Sequence, residues 1–183
     1  AERRTELPDS IPRILAANPF GPVNNMVGAE GERWLPVHGL VPHSKGEKVL
    51  AAIEAVYERN RDVLEQYAIE TGYLIAVVSE QITVLEPVFF WPDALNALHK
   101  QSLEPDHLAR MNQFDAVPGA REAVYKIKSE VVDLLSAEGA SHFQLGKAYH
   151  YRPALKAPAE NLFGSIKSAL DPNGIMNPGV LGF

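Results

Sequence analysis

The sequence predicts an α+β fold, an antiparallel sheet with helices on one face in a ferredoxin-like arrangement, followed by a loop-rich C-terminal tail. Three observations carry this expectation. Two segments, 46–68 and 119–136, repeat apolar residues at three- and four-residue steps, the signature of amphipathic helices. Between them, 73–91 is almost continuously apolar and partly alternating, as strands are. After Gly139 the chain becomes rich in turns and in polar and aromatic side chains. The order strand, helix, hairpin, helix resembles half of a ferredoxin-like unit.

Residues 1–32 read as a linker or peripheral arm, with helical fragments near 1–7 and 9–17 that Asn18-Pro19-Phe20-Gly21-Pro22 brings to an end. Residues 33–136 form the expected main domain. Arg33–Val41 reads as a strand with an interruption or edge at Pro36. Ser44, with Glu47 three residues on, has the form of a capping box for the helix 46–68. Its stripe is Val49, Leu50, Ile53, Val56, Tyr57, Val63, Leu64 and Tyr67. A tight turn near Ser79–Gln81 divides 73–91 into a hairpin, although one long bulged strand also fits. Pro92-Asp93 ends the run, and short helices are expected over 93–101 and 105–113. The helix 119–136 turns Ala120, Val124, Ile127, Val131, Leu134 and Leu135 inward. Residues 137–183 form the tail, with a last helix at 158–170 whose Leu162, Phe163, Ile166 and Leu170 are expected inside. Asp171-Pro172-Asn173-Gly174 is a turn sequence, since Pro fixes φ and Gly accepts positive φ.

Composition narrows the function. Of 183 residues, 46% are hydrophobic, enough for a core, and 22% are charged. A net charge of −6 argues against nucleic-acid or anionic-membrane binding, which needs a basic excess. The absence of Cys excludes thiolate nucleophiles, disulfides and cysteine-bound metal centres. No apolar run approaches the ~20 residues that span a bilayer. No secretory leader is read at the charged N-terminus, so a cytoplasmic location is expected. The start Ala-Glu-Arg-Arg, without Met, suggests a piece of a longer protein.

The chemistry-bearing residues fall into four groups. His38 and His43 lie at a strand end and in the following loop, where imidazoles bind a metal or act as a base. Two ligands do not complete a metal site. Glu86 lies in the apolar stretch Val84–Trp91, either completing a site with the histidines or pointing outward on a polar face. His142, Gln144 and Lys147 precede Tyr149, Tyr151 and Arg152; if the segment is extended, His142 and Gln144 share a side. Arg beside Tyr makes a clamp for an anion. Asn177, before Pro178-Gly179, is held by turns and is placed to hydrogen-bond the edge of a ring.

The tail Ile-Lys-Ser-Ala-Leu-Asp-Pro-Asn-Gly-Ile-Met-Asn-Pro-Gly (166–179) resembles the closing signature of the FAD-linked oxidases of the vanillyl-alcohol oxidase and p-cresol methylhydroxylase superfamily. The resemblance spans roughly 33–183 and is strongest in the last third. It implies that this chain is the C-terminal, substrate-facing half of a flavoenzyme. FAD would be held mainly by another domain or subunit, with a loop-rich tail facing the flavin. Asn177 is then the flavin contact, with Gln144 and Lys147 beside it. His142, His38, His43 and Arg152 are the catalytic candidates; Tyr149, Tyr151, Arg152 and Glu86 are the substrate-binding ones.

Two branches of the superfamily compete. The glycolate oxidase and D-lactate dehydrogenase branch has Gly-Glu-His-Gly where this chain has Ala140-Ser141-His142-Phe143. It also has paired histidines that often hold a divalent metal, in a Gly-Asp-Gly-Asn loop that is missing around His38 and His43. The phenol-oxidising branch has a Tyr-Arg pair like Tyr151-Arg152. Histidines and cationic side chains suit a carboxylate, so the expected substrate is a small 2-hydroxy acid. The electron acceptor is left open, and self-association into a homo-oligomer is compatible with the sequence. The rival expectation from another class is a non-catalytic α+β binding domain.

Overall fold

The computed structural model describes residues 23–142, 144 and 146–183, together with 13 and 17. The helical fragments expected before residue 18 therefore lie largely outside the described residues.

The sheet is built around its most apolar strand. In order, β1 is Arg33–Pro36, β2 is Gly39–Pro42, β3 is Glu70–Val77 and β4 is Ile82–Trp91. All pairings are antiparallel. β3 lies along one side of β4, from Glu70 opposite Phe90 to Val77 opposite Thr83. β1 and β2 follow one another along the other side, Arg33 opposite Trp91 and Pro42 opposite Ile82. The register is the same before and after the gap between them, and Val37 N–H donates to Pro87 O at 2.9 Å within it. The expected single strand is thus one interrupted lane. The hairpin between β3 and β4 closes at Ser79, whose Oγ accepts from Gln81 N and Ile82 N.

Beyond β2, Ser141 pairs with Leu40 through two backbone bonds. The order is therefore Ser141, then β1 and β2, then β4, then β3. This is the strand order of a ferredoxin-like unit whose fourth strand is reduced to one bridge. The described residues between Ser141 and Tyr151 form no strand, and Tyr151-Arg152 open a one-turn helix.

Two helices cover one face of the sheet, α1 (His43–Arg59) and α5 (Pro118–Ala137). α1 presents Val49, Ile53, Val56 and Tyr57, and α5 presents Ala120, Val124, Ile127, Val131, Val132 and Leu135. They meet Leu85, Phe89 and Trp91, alternate residues of β4, and Val37 and Val41 from the neighbouring lane. Gly39 leaves room for this packing: a Cβ there would lie 2.7 Å from Leu135 Cδ2. The expected helix 46–68 instead starts at His43 without a side-chain cap and divides at Asn60 from α2 (Arg61–Gln66). The Asn60 side chain donates to Val56 O at 2.9 Å and to Glu130 at 3.2 Å, so it competes with the helical ladder.

Past β4 the chain forms two short helices, α3 (Ala97–Ser102) and α4 (Pro105–Leu108), over a small cluster of Val27, Leu103 and Met111. The turn into them is fixed by Asp93, which is 1% exposed. It pairs with Arg121 of α5 and accepts from Trp91 Nε1, Ala94 N and Val117 N.

The tail contains α6 (Tyr151–Ala154) and α7 (Ala157–Leu170). The stripe expected inside on α7 is exposed: Leu162, Phe163, Ile166 and Leu170 keep 41–74% of their surface. The helical period was right, but among the described residues the tail's own Tyr151 and Phe183 rings meet this face at Phe163 and leave it mostly open. Asp171 closes α7 by accepting from Ile175 N, Met176 N and Lys167.

Candidate functional site

The interruption between β1 and β2 creates the site. Inside a regular sheet, the N–H and C=O that a residue turns away from one neighbouring strand pair with the next strand. At His38 side chains take that role: its N–H donates to Tyr149 Oη at 3.1 Å, and its C=O accepts from His142 Nδ1 at 2.7 Å. Residues separated by more than 100 positions are thereby fixed on one edge.

The three rings pack together. His142 stacks on Tyr149, with centroids 4.1 Å apart and planes at 21°, and meets His38 edge-on at 5.7 Å. Tyr149 Oη lies 2.9 Å from His38 Nδ1, and Gln144 N–H donates to His38 Nε2 at 3.2 Å. Gln144, expected beside the flavin, makes this contact through its backbone. The common register on both sides of the gap places Glu86 of β4 opposite His38. The Glu86 charge helps to raise the Tyr149 hydroxyl, after burial as the main cause. Burial also raises Glu86 itself.

Burial, and secondly the neighbouring His142, push His38 down to about 4. Burial lowers His142 too, against the bond to His38 C=O, which raises it. His38 is held neutral, so its protonation favours the unfolded chain. The stability tied to it is complete above the ordinary value of 6.5 and is lost as pH falls toward 4. This one group predicts a loss of roughly 2 kcal/mol between pH 7 and pH 5, measured as a fall in the urea midpoint. A midpoint that stays flat over that range contradicts the prediction, and His38→Gln should remove most of the slope.

His43 does not join the cluster. It sits at the start of α1, with Nδ1 2.6 Å from Thr83 Oγ1 and Nε2 3.2 Å from Ser79 O, and it ties the helix to the hairpin. Among the described residues no group of three or more His, Cys, Asp or Glu is placed to hold a metal.

The other expected residues line two cavities in the tail. One, of about 260 Å³, is walled by Lys147, Tyr149, Tyr151 and Arg152, and by Gly179 and Leu181. Arg152 is engaged there: it donates to Glu160 at 2.9 Å and to Gly182 O at 3.2 Å, and stacks on Phe183. Lys147 has no ion pair among the described residues. The Gly179–Gly182 wall was not foreseen, although Asn177-Pro178-Gly179 signals it, with Asn177 at φ 48°, Gly179 at 75° and Leu181 at 60°. The second cavity, of about 270 Å³, is mostly apolar, with Asn177 on its rim beside Phe163, Leu170, Met176 and Phe183.

No family model, curated protein or solved structure matches this chain. Among the described residues, no helix is long and apolar enough to cross a membrane.

Proposed function

We propose that this chain is the substrate-facing, C-terminal part of an FAD-dependent oxidoreductase that oxidises a small 2-hydroxy acid of the D-lactate or glycolate type. The observation that carries the reading is the cavity holding Lys147, Tyr149, Tyr151 and Arg152, with Tyr149 stacked on His142. Cations suit the carboxylate of such a substrate, and a neutral imidazole suits its hydroxyl proton. His142 Nδ1 donates to His38 C=O, which leaves Nε2 as the basic nitrogen. That nitrogen is buried and has no hydrogen-bond partner among the described residues.

Because Arg152 is already bonded to Glu160 and Gly182, Lys147 takes the larger share in holding the anion, with Tyr151 beside it. His38 and Tyr149 orient His142. Glu86 sets the charge on the far side of His38, and His43 has a structural role at the hairpin.

Two features of the tail support a flavin. Its apolar cavity is lined by Phe163, Leu170, Met176 and Phe183, and the exposed Asn177 amide has no partner among the described residues, so it is available to a ring edge. FAD, held mainly by a separate domain or subunit, supplies a two-electron hydride acceptor when bound.

The test is the absorbance of the native protein that carries this chain, before and after D-lactate. A flavin band that bleaches is the expected result. A band that stays oxidised with D-lactate and glycolate removes the hydroxy-acid substrate, and the absence of any flavin removes the oxidoreductase reading.

A further inference from the structure

The ring cluster contains one donor and one acceptor that the described residues leave unmatched, and together they specify what binds there. Gln144 N–H donates to His38 Nε2, so that nitrogen carries a lone pair. His38 is neutral at pH 7, and its single ring proton therefore resides on Nδ1 and points to Tyr149 Oη at 2.9 Å. The same oxygen already accepts the His38 backbone N–H at 3.1 Å. A phenol oxygen has two acceptor positions and one proton. Both acceptor positions are used, so the Tyr149 O–H is directed away from His38, and it meets no acceptor among the described residues.

His142 shows the opposite lack. Its Nδ1–H is spent on His38 C=O, and its Nε2 lone pair is buried without a partner among the described residues. An unmatched buried acceptor is destabilising unless something satisfies it. The free O–H and the free lone pair belong to stacked neighbouring rings, with centroids 4.1 Å apart.

We propose that Tyr149 and His142 form a receptor for a single hydroxyl group, with Tyr149 donating to its oxygen and His142 Nε2 accepting its proton. A hydroxyl supplies both functions on one atom. A carboxylate has no proton for Nε2, and an ammonium has no lone pair for Tyr149. The inference rests on the oxidoreductase reading for the identity of the alcohol, and it adds Tyr149 as the group that holds the hydroxyl oxygen. As the proton moves to Nε2, the oxygen keeps the electron pair and the Tyr149 bond strengthens onto it. Nδ1–H stays on His38 C=O throughout. Gln144 acts one step back as a positioning residue, because its N–H sets the His38 tautomer that frees the Tyr149 proton.

Two measurements test this. In the full chain labelled with ¹⁵N-histidine, long-range ¹⁵N–¹H spectra at pH 7 should show both His38 and His142 as the Nδ1–H tautomer. His38 found as Nε2–H would consume the Tyr149 proton and overturn the proposal. In the native flavin-bearing protein, Tyr149→Phe should slow bleaching of the flavin band by D-lactate about 10²-fold, as loss of one donor to a developing oxyanion does. Bleaching at the unmodified rate in a folded Tyr149→Phe variant also overturns it. If the unmodified protein fails to bleach, the oxidoreductase reading falls, while the tautomers still decide whether the hydroxyl receptor exists.

Discussion

Replacing Asp93 by alanine is expected to destabilise the fold by about 3–5 kcal/mol, the usual cost of removing one partner from a buried, hydrogen-bonded ion pair. The carboxylate is 1% exposed and accepts five hydrogen bonds from four residues. Arg121 makes two of its bonds, and Trp91 Nε1, Ala94 N and Val117 N make three more. These partners come from the end of β4, the turn after it and the start of α5, so a single side chain docks the second helix onto the central strand. Truncation leaves Trp91 Nε1 and the Val117 N–H without partners, whereas Arg121, at 36% side-chain exposure, turns back to water. The check is the urea midpoint at constant slope, and a change under about 1 kcal/mol would show that the network adds little. Asp93→Asn keeps some acceptors and should lose less. The pH dependence has a definite sign. Burial alone would raise this carboxyl, but Arg121 and the N–H donors hold it below its usual value. Its contribution is therefore present above the ordinary carboxylate range and is lost as pH falls through the depressed folded value.

Asp93 also shows what the sequence concealed. As a residue after Pro92 it reads as a helix or turn starter, which many aspartates are. Its partner Arg121 is 28 residues away on an unremarkable helix face, and no local pattern links the two. Elements with strong periodicity were legible: the stripe of α5, the alternation of β4 and the turn at Ser79. The division of the first long helix at Asn60 was hidden, because Asn is tolerated within helices and the deciding contact, Glu130, is distant in sequence. The stripe of α7 was read correctly as a stripe and wrongly as core. Periodicity reports that a face is apolar, and it does not report what covers the face.

The same limit applied to the site. His38, His142, Gln144 and Tyr149 were each singled out by residue type, and the structure brings all four together. Their grouping depends on a gap in one strand lane and on a tail returning to that edge, both long-range facts. The spacing of His38 and His43 suggested a pair, yet the start of α1 takes His43 to the hairpin. Glu86 was ambiguous between an outward and a site-facing position. The lane opposite resolves this, since the unbroken register across the gap sets it against His38.

Replacing His142 by alanine is expected to lower turnover of the native flavin-bearing protein by 10²–10⁴-fold, the usual range for a general base. The structural cost should be far smaller. Among the described residues the His142 side chain makes one hydrogen bond, from Nδ1 to His38 C=O, and a typical bond of that kind contributes about 0.5–1.5 kcal/mol. Activity and stability therefore separate: a base predicts a large fall in kcat with a modest change in the urea midpoint. His142→Gln sharpens the comparison, because its amide can still donate to His38 C=O yet offers no nitrogen lone pair. Stability should recover in that variant and turnover should not. The pH profile carries independent information. Burial lowers His142 below the ordinary histidine value, so the imidazole is already neutral at pH 7. The acid limb of kcat/KM should accordingly lie below pH 6.5 and vanish in His142→Gln. Turnover in His142→Ala within about threefold of the unmodified protein would assign the proton to another group and leave His142 as a prop for the broken strand edge.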